Sequence, residues 1–235
     1  MGRLKAAVHP EPPGFGVIGC QRCFPDLRGA RAYRVLFLSE GQAGRCPKGG
    51  ERAIADLRFD GDGLVRFTFD TTSNRIGGVE RIQGLKAWLA ANVPELRGTA
   101  NRIGDDVLNI EGLAWDPRSR RLLLALRAPV AGDQALVIPL AFRDAAGPLA
   151  TSNIRLDSAA IRLPLDGAGL RAIEHDAVTN SFMIVTGAAL NDETRDFRVL
   201  EWDGTAAGPL REVATFPRRL KPEGITRAVL GGRPV

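Results

Sequence analysis

Apolar residues in this chain fall in short alternating or continuous runs, punctuated by turn residues. Asn109-Ile110-Glu111-Gly112-Leu113-Ala114-Trp115-Asp116-Pro117 reads as a strand entering an Asp-Pro turn. Leu122-Leu123-Leu124-Ala125-Leu126 then reads as a second strand, apolar on both faces. Gln134 to Phe142 gives a third, in which Pro139 predicts an outer or edge strand, and Ser158 to Leu165 gives a fourth, ending in Asp166-Gly167. The same order returns. Leu170 to His175, the turn Asp176 to Asn180, Ser181 to Val185, Phe197 to Trp202 and Leu210 to Phe216 make a second set of four. Four short antiparallel strands in sequence form one blade of a β-propeller, and a recurrence on the order of 50–60 residues suits such blades. Lys221-Pro222-Glu223-Gly224-Ile225-Thr226 reads as the first strand of a further blade, and the chain then stops at Val235, so truncation at the carboxyl end is expected.

Upstream, Ala53 to Phe59 and Leu64 to Phe69 alternate on either side of Asp60-Gly61-Asp62-Gly63, which predicts a hairpin. Between hairpin and blades lies one helical pattern, Ile82 to Leu96. Ile82, Leu85, Leu89 and Val93 share a face, and Pro94 ends the helix. Trp88 within it is expected to serve packing. Residues 1–50 are rich in Gly, Pro and Arg and hold one weakly alternating strand, Arg31 to Leu38. They are expected to be an irregular segment, non-native or poorly ordered, from a wrong start or a frameshift. The expected organisation is therefore that segment followed by a propeller-like domain over 51–235. The fold class is all-β, an incomplete β-propeller-like ring with one inserted amphipathic helix.

Composition removes several functions. The net charge is +5 with cations spread along the chain and aromatics at 6%, which does not make a nucleic-acid surface. No apolar run is long enough to span a membrane, and no apolar signal region follows Met1, so a cytoplasmic location is the default expectation. Cys20 and Cys23 have the spacing of half a zinc site, but only Cys46 and His9 accompany them, so they are read as incidental. The only other histidine, His175, follows Glu174 on a strand and so points to the opposite face. Nucleophile-elbow, zincin and phosphate-loop motifs are absent from the sequence, and no residue is assigned a catalytic role.

The stretches Asn109–Pro117, Gly169–Asp176 and Lys221–Thr226, in that order and preceded by the helix, resemble the bacterial domain-of-unknown-function family 3616 (DUF3616). The resemblance covers roughly Glu51 to the end. It implies a propeller-like β fold, distantly similar to phytase-like esterases and lactonase-type propellers. It carries no assigned reaction. Family members would have another strand–turn–strand unit before the Glu51 hairpin, which residues 1–50 do not match.

Aligning the two complete units on Asp116 and Asp176 places Glu111 on Arg171, and the third unit places Glu223 on Glu111. First strands of propeller blades line the central channel. Glu111, Arg171 and Glu223 are therefore expected at similar height around one axis, with Asn109 and Lys221 beside them. Three readings compete. The set can tie neighbouring blades together through charge-assisted hydrogen bonds. It can bind a small polar or anionic ligand through Arg171 and Lys221. It can hold calcium, although two carboxylates and Asn109 fall short of six to eight oxygen ligands. The leading expectation is a binding or scaffold module with a polar central channel and no cofactor. The alternative is a calcium-dependent hydrolase of the esterase, lactonase or phytase-like type. Whether the protein is an enzyme, and its oligomeric state, stay open at this point.

Overall fold

The computed structural model describes residues 64–68, 75–98, 108–190, 194–222 and 224–226 with their side chains. It adds the backbone alone at 5–6, 15–17, 33–39, 63, 69–70, 229–230 and 233–234. The strands are β1 (Lys5–Ala6), β2 (Phe15–Val17), β3 (Tyr33–Ser39), β4 (Gly63–Asp70), β5 (Arg75–Arg81), β6 (Asn109–Asp116), β7 (Arg121–Ala128), β8 (Gln134–Phe142), β9 (Ile154–Leu156), β10 (Ile161–Pro164), β11 (Gly169–Asp176), β12 (Ser181–Gly187), β13 (Phe197–Trp202), β14 (Leu210–Phe216), β15 (Val229–Leu230) and β16 (Arg233–Pro234). One helix, α1 (Leu85–Asn92), lies between β5 and β6. The fold is all-β and propeller-like, with one α-helix among the described residues. A first sheet holds β1 to β5, a second β6 to β10, a third β11 to β14 in sequence order, and β15 pairs with β16.

The two predicted blades form. β8 and β14 fall on the expected residues, and β6–β7 and β11–β12 are the expected hairpins. Their turns are built alike. Asp116 Oδ1 accepts from Arg118 N at 3.1 Å, Asp176 Oδ1 accepts from Val178 N at 2.9 Å, and Arg120 and Asn180 enter the next strand with φ 51 and 52. Short Asp side chains that bond the backbone two residues on are what such turns require.

The fourth strand of the second sheet differs from expectation. It is split: β9 pairs with Leu140–Phe142 and β10 with Gln134–Val137 of β8. β8 is therefore an interior strand, not the edge that Pro139 implied. Asp157 N donates to Pro139 O at 3.0 Å, so the backbone side of Pro139 faces the break between β9 and β10, where no ladder bond needs its missing N–H.

Upstream, β4 lies on the second half of the predicted hairpin, and residues 53–59 lie outside the described residues. The described neighbours of β4 are β3 and β5. β5, Arg-Ile-Gly-Gly-Val-Glu-Arg, has no run of apolar alternation because it is exposed along most of its length. The helix is shorter than its pattern. It starts after Gly84, whose φ of 70 suits glycine, and Pro94–Leu96 forms a 3-10 turn. At the other end, residues 221–222 and 224–226 are not a strand. The turn Arg218–Leu220 and the left-handed Lys221 (φ 42) divert the chain, and Ile225 packs on the third sheet instead.

The layers stack through alternate faces. The near face of the second sheet (Ile110, Leu122, Leu124, Leu126, Ile138) packs on Leu64 of β4 and on Ile82, Leu85, Leu89 and Val93; Trp88 joins this core. Arg66 ties the first sheet to the second, donating to Glu80 Oε2 and Gly147 O, both at 2.6 Å. The far face of the second sheet (Ala114, Leu123, Ala125, Val137, Leu163) packs on the near face of the third (Leu170, Ile173, Phe182, Ile184, Trp202). β6 and β11 approach closely: a Cβ on Gly112 would lie 2.8 Å from Ala125 Cβ and 3.0 Å from Ile173.

Thr186, fully buried on β12, leaves its hydroxyl without a hydrogen-bond partner. A buried unpaired hydroxyl costs free energy, so Thr186→Val should stabilise the fold by about 1 kcal/mol. A urea midpoint that stays put or falls would contradict this.

Candidate functional site

Both halves of the predicted constellation sit on β-bulges. In β6, Ile110 pairs with Leu126 and Gly112 with Ala125, which leaves Glu111 unopposed. In β11, Leu170 pairs with Thr186 and Ala172 with Val185, which leaves Arg171 unopposed. A bulge inserts one residue and re-aims its side chain, and here it does so at the same place in two successive sheets. The two side chains meet: Arg171 Nη1 donates to Glu111 Oε2 at 3.1 Å and Oε1 at 3.3 Å.

A second guanidinium joins them. Arg127 of β7 lies in the same irregularity, between the pairs Asn109–Ala128 and Ile110–Leu126. Its Nη1 donates to Glu111 Oε1 at 3.4 Å. Asn109 Nδ2 donates to the same oxygen at 3.3 Å. Both arginines also hold the carbonyl that follows β12, Arg127 across the sheet boundary and Arg171 within the third sheet: Arg171 Nη2 donates to Ala188 O at 2.9 Å and Arg127 Nε at 3.3 Å. Glu111 and Arg127 are buried, whereas the Arg171 side chain keeps 14% of its surface accessible. Phe197 supports Arg171, with the guanidinium carbon 5.8 Å from the ring centroid, and Gly187 leaves room for both.

Of the sequence-predicted residues, Glu111, Arg171 and Asn109 are brought together. Glu223 lies outside the described residues. Lys221 is exposed, and among the described residues no contact joins it to the cluster. Arg127 went unpredicted because it ends an apolar run as an ordinary strand terminus would. Its signal lay in the repeat: the alignment that puts Glu111 on Arg171 puts Arg127 on Gly187, a cation in one unit against a space in the other.

A family model described as a protein of unknown function, DUF3616, matches residues 101–222, just over half of the chain. The chain belongs to the DUF3616 family. The matched stretch holds Asn109, Glu111, Arg127 and Arg171. No curated protein matches the chain.

Two further carboxylates of this DUF3616 protein are perturbed. Burial alone would raise the Asp116 carboxyl, but Arg118, Arg121 and the Ser119 N–H outweigh it and hold the group below its ordinary value. Arg118 also donates to Asp203 O at 2.7 Å, and Arg121 to Gly204 O at 3.4 Å, so Asp116 steadies two arginines that reach the third sheet. Glu174, half-buried on β11, goes the other way: desolvation, with the Asp176 charge adding to it, pushes its carboxyl from 4.5 to about 8. The folded state therefore holds this proton where the unfolded chain has lost it. Its contribution to stability is whole below about pH 4.5 and is lost as pH rises through about 8. Glu174→Gln cannot ionise, so its thermal midpoint should exceed that of the wild type by a margin that widens from pH 5 to pH 9. A constant margin over that range would contradict the assignment.

Proposed function

We propose that this DUF3616 protein is a binding and scaffold module whose inner strands turn a polar, arginine-centred site toward a central channel. The observation that carries the reading is the convergence of Arg171 and Arg127 on Glu111 from two sheets. Buried charges are kept where they are paired, and this set holds two stacked sheets in register, which is the scaffold part. The binding part rests on Arg171. It is the partly accessible member, and an anion would share its guanidinium with Glu111 and the Ala188 carbonyl. The fitting ligand is a small polar or anionic molecule.

The alternative, a calcium-dependent hydrolase, finds less support at this position. Glu111 accepts from both arginines and from Asn109. A hard dication would have to displace these donors and sit among guanidiniums, with one carboxylate to offset them.

Titrating citrate, inorganic phosphate and calcium chloride against the thermal midpoint tests the proposal. Citrate or phosphate should raise the midpoint of the wild type, and calcium should not. Arg171→Lys, which keeps the charge and loses the fork, should reduce the anion effect. Stabilisation by calcium, together with calcium-dependent turnover of lactones or phosphoesters, would overturn the reading.

A further inference from the structure

Past the outer strand of the third sheet, the chain returns to the neighbourhood of the arginine-centred site. Phe216, the last residue of β14, pairs with Phe197, the first of β13. Pro217 opens the turn Arg218–Leu220, in which Leu220 N donates to Pro217 O at 2.9 Å. Arg218 N donates to Asp196 Oδ1 at 2.9 Å, which ties the base of this turn to the residue before Phe197. Left-handed Lys221 and then Pro222 redirect the chain, and Ile225 packs on the apolar group Ala172, Val185, Phe197 and Val199. The excursion from Phe216 to Ile225 thus begins and ends at Phe197.

Two features make residues 221–226 a strap. Among the described residues, Lys221, Pro222, Gly224, Ile225 and Thr226 make no backbone hydrogen bond, so no strand ladder holds them. Lys221, Gly224 and Thr226 are exposed, and a Cβ built on Gly224 would meet nothing within 4 Å. Half-buried Ile225 is the apolar anchor.

Phe197 connects this anchor to the site. The Arg171 guanidinium carbon lies 5.8 Å from its ring centroid. Toward β12 the ring has no room to move: a Cβ on Gly187 would lie 2.6 Å from Phe197 Cε1 and 3.3 Å from Arg171 Nε. The ring is therefore confined by the Gly187 backbone, by Arg171 and by the packing of Ile225. Of these, Ile225 alone belongs to a segment outside the sheet. An anion at Arg171 has to share the guanidinium with Glu111 and the Ala188 carbonyl. Such sharing tolerates little displacement, because charge-assisted hydrogen bonds need short distances and good alignment.

We infer, building on the anion-binding reading of Arg171, that Ile225 is a positioning residue of that site. Docked, it holds Phe197 against Arg171 and fixes the guanidinium for an anion. Undocked, it releases both. Strap and anion are then linked, and linkage is reciprocal: what Ile225 adds to anion affinity, the anion adds to docking of the strap.

Isothermal titration calorimetry with citrate, on the wild type, Ile225→Ala and Ile225→Leu, tests this. Ile225→Ala should weaken citrate about fivefold, the lower end of coupling between linked sites. Ile225→Leu conserves volume and should restore binding. A purely structural Ile225 would shift the thermal midpoint and leave the citrate constant alone. The reciprocal arm needs no variant. Citrate should slow tryptic cleavage of the wild type after Arg218 and Arg219, at the base of the strap, relative to an unrelated substrate protein. A citrate constant unchanged by Ile225→Ala, a loss that Ile225→Leu fails to restore, or cleavage indifferent to citrate overturns the role of Ile225 and leaves the anion site standing. A wild type that binds neither citrate nor phosphate overturns both.

Discussion

A buried carboxylate can be kept in a β-sheet stack only if its partners arrive from both sides, and Glu111 shows how that is arranged. Removing a carboxylate and two guanidiniums from water costs several kcal/mol per ion. The cost is offset only by close charge-assisted hydrogen bonds, which need the three side chains at one place. Regular strands would not put them there, because residues in register alternate between faces. The bulges at Glu111 and Arg171 break that alternation at the same level in adjacent sheets. Gly112 then lets the inner strands approach, and Gly187 gives Arg171 and Phe197 their room.

The arrangement also explains how two units of similar pattern come to have different jobs. Position by position they share an Asp-initiated turn, a left-handed residue before the second strand, and a bulge on the inner strand. They differ in where charge sits. The second sheet carries its cations at Arg118, Arg121 and Arg127, all directed at backbone or carboxylate in the stack. The third sheet receives those cations on its near side, and Val178 and Ser181 stand where the second sheet has Arg118 and Arg121. The stack is therefore polar in the sense of direction, and no sheet can replace another without leaving charges unmatched.

Much of this was legible in the sequence, for identifiable reasons. Strands with strong periodicity between turn residues, such as Gln134–Phe142 and Leu210–Phe216, appear where the pattern puts them. The pairing of Glu111 with Arg171 followed from aligning the repeats, because residues 60 apart occupy one position in successive sheets. What escaped was whatever depends on tertiary context. β5 carries no apolar pattern because it faces water. The split of the outer strand depends on Pro139 meeting a gap that only the register reveals. Arg127 was hidden by its ordinary strand-end position. The strand expected after Lys221 fails because a left-handed residue precedes Pro222 and turns the chain aside.

The central claim is that Glu111 and Arg171 form one energetic unit across the boundary between sheets. A double-mutant cycle with Glu111→Gln and Arg171→Met, read by urea unfolding, measures it directly. If the pair acts as a unit, the two single losses will not add, and the coupling energy will lie in the range of about 0.5–3 kcal/mol expected for contacting residues. Losses that add to within about 0.3 kcal/mol would show independent side chains and contradict the account.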